Sequence, residues 1–447
     1  MSTPTCVRKS RLILAGILFI LSVCGLAACN KEALEPMPDT DSTQAVDSPA
    51  ATPTPTPTPT PAIQAEPLPA DATADFIPLV ATFTTDVFSR DFLENSQKNS
   101  LVSPLSVHLA LSMTANGADN ETLSQMEAVL GQGLTIDQLN EYMSAFIHNL
   151  PSHEGSTLNI ANSIWYRDGF AVYDEFLQTN RTYYGADIRS SAFDARGADE
   201  INAWVEEKTE GMIDKIIEEI PGLAIMYLIN AIAFDAEWDT PYEENKLSER
   251  PFHAASGKEQ DAWFMNSEED NFLDDGRATG FIKPYKDGAY SFVALLPNEG
   301  VDIGDYIAGL DGEGLINTLN NSRQTPVMAS LPKFSFTFDM TMNDMLTAMG
   351  MPDAFSPNSA DFSRLGSVAD GDNIYINRVL HKTFVDVDEK GTRAAAVTGV
   401  EMQVTSVRLM DYVILDRPFV FCIIESDSKL PIFIGALLEM PAWSKAP

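Results

Sequence analysis

The stretch from residue 384 to residue 400 reads Phe-Val-Asp-Val-Asp-Glu-Lys-Gly-Thr-Arg-Ala-Ala-Ala-Val-Thr-Gly-Val. Val385 and Val387 alternate with Asp386 and Asp388, which predicts a half-buried strand. In an extended continuation, one face would carry Thr392, Ala394, Ala396 and Thr398, and the other Arg393, Ala395 and Val397. Such a segment is suited to enter a packed sheet between two strands with its small face inward and Arg393 in water. A flexible loop after an edge strand is the alternative interpretation.

Predicted helices and strands are unevenly distributed over the rest of the chain. Ser103 and Pro104 precede an apolar stretch, Leu105–Met113, which predicts a capped and buried helix. Two further helices are predicted over Ala198–Lys208 and Thr341–Met349. Strands are predicted over Tyr227–Phe234, Phe292–Leu296, Phe334–Phe338, Phe419–Ile424 and Ile432–Leu437. Helices dominate the first half and strands the second, so the predicted fold class is α+β rather than a repeating βαβ unit.

Short motifs spread over more than half of the chain point to one family. They are Asn99, Ser103-Pro104-Leu105-Ser106, Asn230-Ala231-Ile232-Ala233-Phe234 with Trp238, Leu331-Pro332-Lys333-Phe334 and Arg417-Pro418-Phe419-Val420-Phe421. The run Glu389, Lys390, Gly391, Thr392, Arg393, Ala394, Ala395, Ala396, Val397 and Thr398 resembles the hinge of an inhibitory serpin. From about Asp75 to the C-terminus, the resemblance implies a serpin fold with about nine helices, three β-sheets and an exposed reactive loop above the largest sheet.

The resemblance also implies roles for polar residues outside the hinge. Ser103, Ser106, Asn230 and His381 match the shutter, a polar network under the central strands that must part when the loop enters. Trp238, Lys333 and Glu389 match the breach, where a Lys–Glu pair marks the point at which the loop enters the sheet.

The implied activity is suicide-type inhibition of a serine protease, with a cysteine protease as a further possible target. The protease attacks the reactive loop and forms its acyl-enzyme; the freed hinge then inserts and carries the protease roughly 50 Å before hydrolysis is complete. The family's usual spacing from Glu389 places the reactive bond between Thr405 and Ser406, which favours elastase-like or subtilisin-like enzymes with small apolar pockets. A slightly long return segment leaves Arg408–Leu409, a trypsin-type bond, as the alternative.

Two other interpretations stay open at this stage. One is a serpin fold without inhibition, used as a binding or scaffold protein; the other is an exported solute-binding lipoprotein, which does not account for the hinge pattern. The sequence contains no hydrolase, zinc-protease or nucleotide-binding motif, so we expect no enzyme activity of its own and no cofactor. We expect no metal site either, and we place His148 and His153 in a loop.

The N-terminus has the features of an exported and lipid-anchored protein. Three basic residues precede an apolar run, and Leu26-Ala27-Ala28-Cys29 matches a bacterial lipobox. We therefore predict a lipoprotein signal peptide over residues 1–28, a lipid on Cys29, a disordered Thr/Pro-rich linker over 29–71 and the folded domain over 72–447. This places the protein outside the cytoplasm on a bacterial membrane. An ordinary signal peptide or a short membrane helix is the alternative.

Charge and cysteine content limit the partners and the covalent structure. The formal net charge of −35 excludes nucleic acid, because binding phosphate requires basic patches. Cys422 is the sole cysteine after Cys29, so the folded domain cannot form an internal disulfide, and its apolar surroundings in the sequence predict a buried thiol. We expect a monomer.

Overall fold

The computed structural model describes residues 70–95, 98–368, 373–392 and 410–441. These residues form nine α-helices: α1 (Ala70–Glu94), α2 (Pro104–Ala115), α3 (Asn120–Leu130), α4 (Ile136–Asn149), α5 (Asp174–Tyr184), α6 (Ala195–Lys208), α7 (Ile303–Ala308), α8 (Gly312–Asn320) and α9 (Asn343–Met349). Because α1 begins at Ala70, it includes the last two residues of the predicted linker. The predicted signal peptide, Cys29 and the rest of the linker lie outside the described residues.

The described strands form three sheets of nine, six and two strands, so the predicted α+β architecture with about nine helices and three sheets is confirmed. The strands are β1 (Ser100–Val102), β2 (Ser156–Arg167), β3 (Ala171–Val172), β4 (Asp187–Ser191), β5 (Met226–Glu237), β6 (Leu247–His253), β7 (Glu259–Asp274), β8 (Ala278–Pro284), β9 (Tyr290–Pro297), β10 (Arg323–Pro332), β11 (Phe334–Thr341), β12 (Gly366–Ser367), β13 (Leu380–Val387), β14 (Gly391–Thr392), β15 (Asp411–Ile414), β16 (Phe419–Glu425) and β17 (Pro431–Leu437).

Helix α2 forms as the sequence predicts and lies in the core. The Ser103 hydroxyl caps it by accepting a hydrogen bond from the Ser106 amide, and Pro104 occupies the first turn, where its missing N–H costs no helical hydrogen bond. Every residue of α2 except Ala110 is buried. An apolar helix buried on nearly all sides can anchor the sheets that pack around it.

The six-stranded sheet has the order β11-β13-β14-β5-β2-β4. Strands β2 and β5 pair antiparallel along their whole lengths, whereas β4 runs parallel to β2 at the edge. On the other side of β5 lies β14, only two residues long, followed by β13 and β11. This sheet therefore contains, between two long strands, the first residues of the segment that the sequence singles out as a hinge.

The nine-stranded sheet is built around β7, which pairs with β6 and β10 and then, through its last four residues, with β8. One strand thus joins two groups of strands into a single sheet. The sequence-based expectation that the hinge lies at the largest sheet is therefore wrong by strand count, because the sheet that contains β14 has six strands.

Apolar layers cover both faces of the six-stranded sheet. On one face, α6 packs through Ile201, Trp204 and Val205 against Trp165 of β2 and Ile229 of β5. On the other face, the main core includes residues of α2, β5 and the nine-stranded sheet. The Cys422 thiol is free and fully buried in a third apolar cluster, as predicted, and its burial raises its pKa.

Candidate functional site

The hinge segment enters the six-stranded sheet at Gly391 and Thr392. Gly391 lies opposite Glu237 of β5, and Thr392 lies opposite Ala236 of β5 and Val387 of β13. Among the described residues, β5 and β13 share no direct ladder; on that side each pairs only with β14. The two halves of the sheet, β11–β13 and β5–β2–β4, are therefore connected through the two residues of β14.

Glycine is required at position 391 by the closeness of the neighbouring backbone. A Cβ atom added there would lie 2.0 Å from the carbonyl oxygen of Ala236 and 2.9 Å from the Cα of Glu237. Both contacts are with backbone, so a side chain would displace the segment from β5.

A turn at Asp388 directs the chain from β13 back into the sheet. The Asp388 carboxylate accepts hydrogen bonds through Oδ1 from the amides of Lys390 (2.8 Å) and Gly391 (3.2 Å). The Asp388 amide donates to the carbonyl of Gly391 at 3.0 Å and closes the turn. Burial raises the pKa of the Asp388 carboxyl, although the two amide hydrogen bonds oppose that shift.

Thr392 is held by an aromatic pair beneath it. Its side chain is buried, and its Oγ1 lies 2.5 Å from the Tyr285 hydroxyl. The Tyr285 ring stacks on Trp238 with 4.5 Å between ring centroids and 8° between planes. Burial raises the pKa of Tyr285, so this phenol stays protonated and available for the hydrogen bond.

Backbone hydrogen bonds fix the rest of the turn to the segment that follows β5. The Trp238 amide donates to the carbonyl of Lys390, and the Tyr242 amide to the carbonyl of Glu389, both at 2.8 Å. The Trp238 indole Nε1 donates to the carbonyl of Asp388 at 2.8 Å. Trp238 and Tyr242 therefore hold three consecutive carbonyls, that of Asp388 and those of the first two hinge residues.

Lys333 and Glu389 form the ion pair that the sequence predicts, with Nζ and Oε2 2.7 Å apart. The Lys333 side chain is 7% exposed and that of Glu389 is 30% exposed. Burial alone would raise the pKa of Glu389, but the hydrogen bond from Lys333, a backbone hydrogen bond and the charges of Lys333 and Lys390 together lower it. Trp238, Lys333 and Glu389 thus come together where β14 begins.

A second polar cluster joins α2 to β13 and β17. The Ser103 amide donates to His381 Nε2 at 3.0 Å, and the Ser103 hydroxyl donates to the carbonyl of Ile432 at 2.9 Å. Ser106 joins through its amide, which donates to Ser103 Oγ. Burial lowers the pKa of His381 to about 4, so its imidazole is neutral and Nε2 accepts.

Among the residues that the structure describes, Asn230 does not belong to the same hydrogen-bond network as the other three residues expected in the shutter. No hydrogen bond in the described part of the chain joins it to the Ser103–His381 cluster. Its Nδ2 instead donates to Oδ1 of Asn162, its directly opposite residue on β2, at 2.8 Å. Within the described residues its own Oδ1, though buried, accepts no hydrogen bond.

Three residues of the site are not indicated by the sequence: Asn162, Tyr285 and Thr383, whose hydroxyl donates to the carbonyl of Leu101 at 2.7 Å. Asn162 follows from the register of β2 against β5, whereas Tyr285 and Thr383 meet their partners through tertiary packing that no local sequence pattern specifies. The hinge residues Arg393 to Thr398, both candidate reactive bonds (Thr405–Ser406 and Arg408–Leu409) and Cys29 lie outside the described residues.

A metal site and a membrane-spanning helix are both absent from the residues that the structure describes. No group of three or more His, Cys, Asp or Glu side chains is placed to hold a metal ion. No described helix is long and apolar enough to cross a membrane. The expectation that His148 lies in a loop is wrong: it is in the last turn of α4, where its Nδ1 donates to the carbonyl of Ser144 at 2.7 Å.

Comparison with protein families identifies the class to which this fold and site belong. A family model described as Serpin (serine protease inhibitor) matches residues 79–440. Because the match covers most of the chain, the protein belongs to the serpin family. That membership supports a serpin-type protease inhibitor rather than a protease.

Relatives from several organisms match most of the chain. An uncharacterized serpin-like protein of Thermococcus kodakarensis is 29% identical over 371 residues, covering 80% of this chain and 84% of that protein. Iris of Ixodes ricinus is 30% identical over 378 residues, covering 81% of this chain and 98% of its own.

Two solved structures of the thermophilic serpin Tengpin, one of its native state and one of its latent state, are similar to this chain. The native state gives a TM-score of 0.79 at 44% identity and covers 85% of this chain and 96% of that chain. The latent state gives a TM-score of 0.74 at 47% identity and covers 82% and 98%.

Proposed function

We propose that this serpin inhibits its target by the suicide-type route: the protease forms an acyl-enzyme at the reactive loop, and the hinge then inserts as a full strand between β5 and β13. The observation that carries the proposal is the position of β14. Gly391 and Thr392 already occupy the first two positions of a strand antiparallel to both neighbours. Further insertion needs only that the chain continue in the same register.

Continuing that register brings the small face of the hinge against the buried face of the sheet. Directly opposite residues on antiparallel strands share a face, so Thr392 shares the inward face with Val387. Residue 394 would then lie opposite Val385, and residue 396 opposite Thr383, both of which are buried. The alanines at these positions fit a space that large side chains would overfill.

The same register would place residue 398 between Asn230 and His381, the level of the shutter cluster. A threonine there brings a hydroxyl that can donate to Asn230 Oδ1, the buried acceptor described above. A polar residue at that position is therefore compatible with complete insertion.

For the reactive bond, the spacing from Glu389 supports Thr405–Ser406, with Arg408–Leu409 as the second candidate. The first bond suits elastase-like or subtilisin-like serine proteases, because Val404 and Thr405 are small; the second suits trypsin-like enzymes. The mass of the C-terminal peptide released by cleavage distinguishes the two bonds by its first residue, Ser406 or Leu409.

Thermal unfolding before and after loop cleavage tests the insertion step. We expect a chain beginning at Ala62, nicked within residues 399–409, to unfold at a much higher temperature than the intact chain, because insertion completes the six-stranded sheet. An unchanged unfolding temperature would contradict loop insertion and favour a non-inhibitory binding or scaffold role.

We also propose that the protein is exported and anchored to a bacterial membrane by lipid on Cys29. The support is the lipobox-like run before Cys29 and the Thr/Pro-rich segment after it. Membrane fractionation and mass analysis of the N-terminal peptide should find a lipid-modified Cys29 in the membrane fraction, and Cys29→Ser should release the protein. An unmodified Cys29, or a variant that stays in the membrane fraction, would contradict the anchor.

A further inference from the structure

A buried ion pair lies behind the hinge, between strands β7 and β8. Lys283 Nζ is 2.8 Å from Glu269 Oε1, and the two side chains are only 3% and 7% exposed. The Ser267 hydroxyl also donates to Glu269 Oε1, at 2.5 Å, and Lys283 donates to the carbonyl of Thr240 at 3.3 Å. A buried charge pair is costly to separate, so these contacts fix the ammonium group in place.

The same ammonium group lies against the two aromatic residues that hold the hinge. Its Nζ is 4.5 Å from the ring centroid of Tyr242 and 5.5 Å from that of Trp238, within the range of cation–π attraction. Trp238 and Tyr242 are the residues whose amides bind the carbonyls of Lys390 and Glu389. Within the described residues, the ion pair therefore reaches the hinge through the segment from residue 238 to residue 242.

We propose that Lys283 and Glu269 are positioning residues for the hinge. By binding the carbonyl of Thr240 and the rings on either side of it, Lys283 holds the segment 238–242 in the conformation that keeps the hinge carbonyls aligned with the sheet. A displaced segment would leave Gly391 and Thr392 out of register with β5 and so delay insertion. The positioning role stands on the contacts alone, whereas its effect on insertion rests on the proposed function.

Hydrogen–deuterium exchange on the full mature chain tests the positioning role without any protease. In Lys283→Met, which keeps side-chain length and removes the charge, we expect the Trp238 and Tyr242 amides to exchange about tenfold faster or more. Amides of β4, which lies beside the end of β2 and β5 farthest from Trp238, should be unchanged. Lys286→Met is the matched control, because Lys286 makes an ion pair with Glu237 at 3.1 Å in the same region, with side chains 45% and 26% exposed. It should leave both amides unchanged.

Glu269→Gln is a second variant for the case that Lys283→Met folds poorly. It removes the negative charge of the pair, while the glutamine amide oxygen can still accept hydrogen bonds from Ser267 and Lys283. It should accelerate the same two amides in the same direction. Unchanged exchange at Trp238 and Tyr242 in both variants, or equal acceleration of every amide, would overturn the positioning role.

The kinetic part is tested by the fraction of protease trapped as covalent complex. For Lys283→Met, we expect the protease to cleave several-fold more inhibitor chains per covalent complex formed than it does with wild type. For Lys286→Met, this ratio should match that of wild type. If the Trp238 and Tyr242 amides of Lys283→Met exchange faster but the number of chains cleaved per trapped protease is unchanged, the effect on insertion is overturned. If wild type traps no protease, the proposed function fails, but the exchange result still decides the positioning role.

Discussion

At the scale of single residues, Thr392 shows why the hinge needs small side chains. It is 3% exposed and lies directly over the Tyr285 hydroxyl. We predict that Thr392→Arg lowers the fraction of protease trapped by about tenfold or more, because a charged group would have to be buried without a partner for the strand to insert. Thr392→Ser, which keeps the hydroxyl, should trap nearly as well as wild type. Equal trapping by the arginine variant, measured on denaturing gels, would contradict the inward position of this residue during insertion.

Arg393 is the one charged residue in the hinge sequence from Gly391 to Thr398. In the proposed inserted strand, the register of Gly391 and Thr392 would place residue 393 opposite Asp235 of β5 and Asp386 of β13, on the outward face. We predict that Arg393→Glu raises the activation free energy of insertion by about 1 kcal/mol, because three carboxylates would then lie side by side on adjacent strands. Arg393→Lys keeps the positive charge and should insert normally. The ratio of cleaved to trapped chain measures the effect, and a glutamate variant as efficient as wild type would contradict this register.

At the scale of elements, two buried histidines tie α2 to its surroundings. His381 accepts from the α2 cap residue Ser103, and His108 of α2 lies against Ser112 and the carbonyl of Leu130. Burial lowers the pKa of each to about 4 from the usual 6.5. Between pH 6.5 and 4, the unfolded chain therefore binds more protons than the folded chain. The contribution of the two neutral histidines to the free energy of unfolding is fully present above about pH 6.5 and is lost as the pH falls toward about 4.

His381→Gln tests this pH dependence, because glutamine can still accept from Ser103 but does not titrate. We predict that the free energy of unfolding of the variant falls less than that of wild type between pH ~7 and ~4.5, by about 2 kcal/mol. Asp91 and Asp388 have pKa values raised by burial and shift stability in the opposite direction, equally in both proteins. An identical acid response in the two proteins would contradict a neutral buried His381.

The elements also show how far sequence reasoning reaches. Helix α2 is predicted within one residue at its start and two at its end, because capping and apolar content are local properties. The pairing of Asn230 with Asn162 depends on the register of β2 against β5, which no local pattern specifies. Lys283 was missed because it follows apolar residues of a strand whose burial depends on distant partners.

At the scale of the whole molecule, the net charge of −35 should affect the encounter with a protease. We predict that covalent-complex formation with a cationic protease slows as salt rises from ~0.05 M to ~0.5 M, because screening weakens long-range attraction. An anionic protease of the same specificity should show the opposite trend. Salt-independent rates for both would show that net charge does not steer the encounter.

Covalent trapping is the most direct test of the account. A chain beginning at Ala62 is incubated with pancreatic elastase, subtilisin and trypsin and analysed on denaturing gels. We predict a band at the summed mass of inhibitor and protease, less the released peptide, that survives denaturation with at least one enzyme, together with a released peptide beginning at Ser406 or Leu409. Clean cleavage of the loop by all three enzymes with no such band would contradict inhibition by loop insertion.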